Sequence, residues 1–351
     1  MRVVVTGATG NVGTSVIDAL SREPAIESIL GIARRIPEMR PPKVRWLSLD
    51  VRNGDLVSAF RGAAAVVHLA WMIQPSHDLD ELLTTNVGGT RRVLDAVIEA
   101  SVPRLVYASS VGAYSRGPKD RRVDESWPTE GIETSEYSRH KAEVERMLDE
   151  FERVRRGVAV VRMRKALVFK REAASEIRRL FLGPFFPASL LRPAFVRVVP
   201  ELERLRFQAV HSRDAGEAYR LAVTRSVRGA FNIAAEPVID PERLARIFDA
   251  RRISVPPALV RAGLKLSWKL HLQPTSPGWW DLALGSPLME TARAKTELGW
   301  QPTVDADQSL RELIDGLRGG DGMATPPLAA GNAGSLRSKE IASGVGSSAA
   351  P

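Results

Sequence analysis

Tyr137 and Lys141 stand four residues apart in Tyr137-Ser138-Arg139-His140-Lys141. In a helix that spacing sets both side chains on one face. A free phenol titrates at about 10 and is a poor base at neutral pH. A neighbouring ammonium favours the phenolate, so the pair can pass a proton to or from a hydroxyl or carbonyl oxygen. Upstream, Val106-Tyr107-Ala108-Ser109-Ser110 reads as a strand ending in two hydroxyls. Ligands bind at the C-terminal ends of parallel strands, and Ser110 there can hold a reacting oxygen. Each feature alone has a plain structural reading: a half-buried tyrosine on a surface helix, or a serine turn. Together they make Ser110, Tyr137 and Lys141 the candidate catalytic set.

Thr6-Gly7-Ala8-Thr9-Gly10-Asn11-Val12-Gly13 follows the apolar Val3-Val4-Val5 and precedes a helical pattern. Glycines at 7, 10 and 13 leave a turn bare of Cβ atoms, so a pyrophosphate can approach the backbone. The N–H groups opening the next helix can then bind it. This G-x-x-G-x-x-G is read as a dinucleotide loop, with Gly7, Thr9, Gly10, Asn11, Val12 and Gly13 as its contacts. With a nicotinamide dinucleotide bound, the positive ring would favour the Tyr137 phenolate further, and Lys141 could hydrogen-bond the ribose. At about 20 residues past the loop, NAD sites offer a carboxylate to the adenosine ribose. Here Ala33 is followed by Arg34 and Arg35. Guanidinium groups match a 2′-phosphate, so the sequence favours NADP(H) over NAD(H) as the NAD(P) cofactor.

Such groups need a sheet with helices to carry them, and the first 165 residues alternate accordingly. Strand patterns run over Val3–Val5, Ile29–Ala33, Arg45–Leu49, Ala65–Ala70, Leu105–Ser109 and Val158–Met163. Helical spacing covers Asn11–Ser21, a long stretch from Leu79 to Ile98, and Thr134–Val154. Continuous apolar strands between helices imply a parallel sheet covered on both faces. The fold class expected is α/β: a Rossmann-type doubly wound parallel sheet over 1–165, joined by strands returning from about 206–235. A smaller C-terminal α/β substrate domain is expected over 166–318. Residues 319–351, rich in Gly, Ala, Ser and Pro, are expected to form a disordered tail.

The 351 residues include no cysteine, which excludes disulfides, thiolate catalysis and cysteine metal sites. His68, His77, His140, His211 and His271 give no close ligand pair, so no metal site is expected; His68 and His211 read as structural strand-end residues. The net charge is +9, but the basic residues are scattered among acids and aromatics make up 6%, so nucleic-acid binding is not expected. The stretch Val260–Leu272 reads as an amphipathic helix packed on its own domain. No charged leader or long apolar segment is seen, and a cytoplasmic protein is expected.

These stretches resemble extended short-chain dehydrogenases/reductases of the NAD-dependent epimerase/dehydratase family, over about residues 1–315. The matching segments are TGATGNVG, Asp50-Val51, His68-Leu69-Ala70, Asn86-Val87-Gly88-Gly89-Thr90, YASSVGAY, YSRHK, VHSRDAGEAY and ELGWQP. The resemblance implies that Asp50 and Val51 flank the adenine and that Leu69 and Ala70 line the nicotinamide side. It makes Ser110 the substrate-holding hydroxyl, Tyr137 the acid/base, Lys141 its partner and Asn86 a brace. It also implies a homodimer. Where family members often carry R-P-x-N-V-Y-G-P, this chain has Arg164-Lys165-Ala166-Leu167-Val168-Phe169-Lys170-Arg171.

Leu167 can neither donate nor accept a hydrogen bond, which ill suits the hydroxyls of a sugar. Leu180, Phe181, Leu182, Phe185 and Phe186 supply an apolar surface instead. The expectation is therefore an NAD(P)-dependent oxidoreductase acting on a small-molecule carbonyl or alcohol. The alternatives are a nucleotide-sugar epimerase or dehydratase with tightly bound NAD, and a non-catalytic dinucleotide sensor.

Overall fold

The computed structural model describes residues 1–73, 79–178, 196–270 and 275–330. Expectations placed on Leu180, Phe181, Leu182, Phe185 and Phe186, on His77 and His271, and on 331–351 lie outside the described residues.

The first half runs β1 (Arg2–Thr6), α1 (Asn11–Arg22), β2 (Ser28–Ala33), β3 (Val44–Ser48), α2 (Leu56–Phe60), β4 (Ala65–His68) and α3 (Leu79–Leu83). It continues with α4 (Gly89–Glu99), β5 (Arg104–Tyr107), β6 (Arg122–Val123), α5 (Glu136–Val154) and β7 (Ala159–Lys165). Then follow β8 (Leu167–Phe169), α6 (Ala174–Ile177), β9 (Val198–Glu201), β10 (Phe207–His211), α7 (Ser212–Thr224), β11 (Gly229–Ile233) and β12 (Ala235–Ile239). The last elements are α8 (Pro241–Phe248), β13 (Arg251–Ser254), α9 (Pro257–Lys269), α10 (Pro277–Gly285), β14 (Leu288–Met289), α11 (Ala292–Thr296) and α12 (Ala306–Gly319).

Seven parallel strands form the main sheet in the order β11-β7-β5-β4-β1-β2-β3. The winding reverses between β1 and β4, and the crevice beyond their C-terminal ends is where such sheets bind ligands. Successive side chains of β1 go to opposite faces. Val3 and Val5 join Val16, Leu20, Tyr219 and Phe231 in one core layer. Val4 joins Val66, Val97, Leu148 and Val160 in the other. Gly216 lets α7 lie close on α1, since a Cβ there would stand 2.5 Å from Ser15 O.

The structure departs from the sequence reading in four places. The helix expected across Leu79–Ile98 contains a π-helical turn at Thr84–Gly88, which carries Asn86. Of the returning strands, β11 joins the main sheet, whereas β10 pairs with β8 and β12 in a separate three-stranded sheet. The apolar residues of α12 cover that small sheet, and they set the division. Helix α9 has no buried residue, and Leu259 is 66% exposed; it reaches α10 through the Arg261–Asp281 ion pair. Finally, residues 320–330 are not a loose tail. Leu328 is fully buried, and Thr325 Oγ1 donates to Thr9 O at 2.9 Å. Composition understates a segment held by two anchor residues. Among the described residues, no helix is long and apolar enough to cross a membrane.

Candidate active site

The glycine loop joins β1 to α1 at the switch point. Gly7 has φ +67°, and a Cβ on it would stand 2.6 Å from Ala70 N, so the loop and the end of β4 touch backbone to backbone. A Cβ on Gly13 would collide with the Gly7 carbonyl and the Ala8 backbone. Gly10 occupies the N-cap of α1 and gives no side-chain cap, leaving the first-turn N–H groups to an external anion. Asn11 Nδ2 donates to Val168 O at 2.9 Å, and its buried Oδ1 has no partner among the described residues. Arg34 and Arg35 are exposed just past β2. Asp50 accepts from Arg52 at 2.8 Å, and Val51 is buried. These residues fit a dinucleotide: a cradle without Cβ atoms, a bare helix start and an orphan polar atom.

A chain of hydrogen bonds ties the loop to the π turn. Ala70 N–H donates to Thr6 Oγ1 at 3.3 Å, and Thr6 Oγ1 lies 2.7 Å from His68 Nδ1. His68 Nε2 lies 3.1 Å from Thr90 Oγ1, which donates to Asn86 O at 2.6 Å. Donors and acceptors balance only for a neutral imidazole carrying its proton on Nε2. Burial, aided by the Lys141 charge, pushes His68 down to about 3. Because the folded value lies below the ordinary 6.5, this site contributes stability above that pH and loses it as pH falls toward 3. Unfolding free energy is expected to drop across this window, and His68→Gln should flatten the slope. Denaturant titrations at stepped pH check this, and an unchanged slope in the variant would contradict it.

The candidate catalytic side chains lie beyond β5. Ser110 Oγ accepts Gly112 N–H at 3.0 Å, and its side chain acts on the Tyr137 phenol, favouring the ionised form. Lys141 is buried, its Nζ donating to Ala108 O at 2.7 Å and to Tyr107 Oη at 3.2 Å. The same ammonium lies 3.3 Å from the Trp71 ring centroid and 5.9 Å from that of Tyr137. The expected pull of Lys141 on the phenol does not appear in this arrangement. Burial pushes Tyr137 up to about 12 against the effect of the Ser110 side chain. Burial, helped by the Lys165 charge and opposed by Glu145, pushes Lys141 well below the usual lysine range. Desolvation of both groups outweighs their mutual attraction.

Sequence reasoning missed the support beneath this set. Tyr137, Lys141 and Glu145 continue one face of α5 at steps of four. Glu145 is fully buried and accepts from Ser109 Oγ at 2.5 Å, Arg162 Nη1 at 3.0 Å and both Nε and Nη2 of Arg164 at 3.1 and 2.8 Å. Burial works to raise its pKa, but the Arg164 hydrogen bonds and charge, with Arg162, hold it at about 2. The network fixes the end of β5, where Ser109 leads into Ser110. Lys165 adds a bond from Nζ to Ser109 O at 2.8 Å, and burial pushes its amine down to about 7. The signal was present as charged residues inside an apolar strand, Val160-Val161-Arg162-Met163-Arg164-Lys165.

A cavity of about 270 Å³ opens beside Tyr137, lined by Met72, Leu82, Asn86, Trp268 and Trp279 among others. The Tyr137 and Trp279 rings lie 5.0 Å apart. Asn86 spends both ends of its amide on the Met72 backbone, at 2.7 and 3.0 Å, so it braces this loop.

The family model described as NAD dependent epimerase/dehydratase family matches residues 3–234. The chain belongs to this family. This epimerase/dehydratase member is 27% identical over 326 residues to the uncharacterized protein Rv2047c of Mycobacterium tuberculosis, covering 92% of this chain and 31% of that one. The chain therefore spans less than a third of that relative's length. It is 38% identical over 110 residues to L-arabinose 1-dehydrogenase (NAD(P)(+)) of Haloferax volcanii, covering 31% of this chain and 41% of that protein. In fold it is similar to the UDP-glucose 4-epimerase of Thermus thermophilus in complex with NAD, with TM-score 0.65 and 22% identity over 91% of this chain and 99% of that one.

Proposed function

We propose that this family member moves hydride between a nicotinamide dinucleotide and the carbinol or carbonyl carbon of a small, weakly polar molecule. The observation that carries this reading is Tyr137 on the wall of a partly aromatic cavity, with the Ser110 side chain close enough to act on its phenol. When bound, the dinucleotide supplies or accepts the hydride. Ser110 Oγ holds the substrate oxygen, and the Tyr137 phenol passes a proton to it. A phenol held at about 12 is protonated at neutral pH, which suits the reductive direction, from carbonyl to alcohol. Lys141 lies one turn further along α5, and Trp71 screens it from water. Met72, Leu82, Trp268 and Trp279 give one side of the cavity an apolar wall suited to an apolar substrate body, while Thr134, Glu136, His140 and Arg261 line the rest. Leu167, in the strip where relatives often carry an amide, is 46% exposed on β8 and does not line this cavity.

A second reading, epimerisation or dehydration of a nucleotide sugar, is favoured by the UDP-sugar epimerase that shares the fold. Incubation with UDP-, GDP- and dTDP-sugars, followed by chromatography, separates the two. Efficient isomerisation of any member would establish the second reading and overturn the first.

The exposed Arg34 and Arg35 carry the preference for NADP(H). Calorimetric titration is expected to give tighter binding of NADPH than NADH, and the Arg34→Ala, Arg35→Ala variant should lose the difference. One charge-assisted contact of this kind is worth about 1.5–3 kcal/mol. Equal affinities in the unaltered protein would contradict the assignment.

A further inference from the structure

We propose that the C-terminal segment Asp321–Leu328 is part of the dinucleotide site, with Thr325 acting as a positioning residue for the glycine loop. The proposal rests on the dinucleotide reading of that loop and on no particular substrate.

Thr325 Oγ1 donates to Thr9 O at 2.9 Å, joining residues 316 positions apart. Both are shielded from water, Thr325 at 2% and Thr9 at 5% exposure. The Thr9–Gly10 peptide is planar, so its carbonyl and its N–H point opposite ways. With the carbonyl held by Thr325, the Gly10 N–H turns back to Gly7 O at 3.3 Å. A hydroxyl from the far end of the chain thus sets the middle peptide of the phosphate loop.

The segment is built to stay in place. Met323 N donates to Leu328 O at 2.8 Å, and Leu328 N donates to Thr325 O at 3.0 Å, closing a tight loop. Ser175 Oγ donates to the same Leu328 carbonyl at 2.8 Å. Asp321 pairs with Arg171 at 2.5 Å. The neighbour of Arg171, the buried Lys170, reaches the first turn of α1, with Nζ 3.1 Å from Asn11 O and 2.6 Å from Thr14 Oγ1. Residues 170–175 therefore grip α1 on one side and the C-terminal segment on the other, and the segment grips the loop. The carboxylates of Glu172, Glu176 and Asp18 favour a charge on Lys170 at the positive end of α1.

If the segment favours the binding-competent loop, bound dinucleotide must stabilise the segment by the same factor. Two measurements test this. Amide hydrogen exchange of the full chain, with and without NAD(H) and NADP(H), should slow several-fold in peptides covering 321–328 when dinucleotide binds. Thr325→Val, which keeps the shape and deletes the donor, should raise the dinucleotide Kd by about tenfold, while Thr325→Ser restores it. Unchanged exchange at 321–328 on binding would overturn the proposal, as would a Thr325→Val Kd equal to that of the unaltered protein. If the unaltered protein bound neither dinucleotide, the loop assignment itself would fall, and the inference with it.

Discussion

Replacing Tyr137 by phenylalanine is expected to lower turnover about 100-fold or more while leaving dinucleotide affinity within about twofold. The ring stays, and with it the packing against Trp279 at 5.0 Å and the edge contact with Trp71 at 6.1 Å. The substitution deletes the phenol hydroxyl, and with it the proton that must reach the substrate oxygen. The Ser109 hydroxyl is spent on Glu145 and cannot take its place. Steady-state rates on any accepted substrate, with cofactor affinity measured separately, check this. Full turnover in the variant would remove Tyr137 from the chemistry.

The second large effect concerns stability. Glu145→Leu is expected to lower the unfolding free energy by about 3–5 kcal/mol. The variant leaves Arg164 buried without the carboxylate that two of its nitrogens contact, and it frees Ser109. Removing one member of a buried ion pair strands the other charge, and the stranded charge sets most of the cost. The double variant Glu145→Leu, Arg164→Met should recover much of the loss. The pH dependence has a definite sign. Held at about 2, below its ordinary 4.5, Glu145 contributes stability above pH 4.5 that is lost as pH falls toward 2. Denaturant titration of the single and double variants checks the account. A single-variant loss below about 1 kcal/mol would contradict it.

The parts of this site that lie close together in the chain are legible in the sequence. Gly7, Gly10 and Gly13 carry the loop in their spacing, and Tyr137 and Lys141 share a face once their stretch is helical. The parts that depend on distant packing are not. Arg162 and Arg164 on β7 meet Glu145 on α5 only because β7 lies next to β5 in the sheet. Spacing also gives neighbours without giving desolvation. It therefore predicts that Lys141 draws Tyr137 toward phenolate, where burial overrides that pull. Thr325 is hidden for a different reason. A segment held by one buried leucine and a few hydrogen bonds has no hydrophobic period to read. Likewise, nothing in Phe207–His211 says which of two sheets it will join; α12, about a hundred residues later, decides that.

Isotope transfer tests hydride chemistry at Tyr137 most directly. The protein is incubated with reduced dinucleotide carrying deuterium at the transferring carbon, together with aromatic and aliphatic ketones. Products are analysed by mass spectrometry beside a Tyr137→Phe control. The account predicts deuterium on the carbinol carbon of an alcohol product, and at least about a hundredfold less of it in the variant. Alcohol formed without deuterium, or formed equally by the variant, would contradict it.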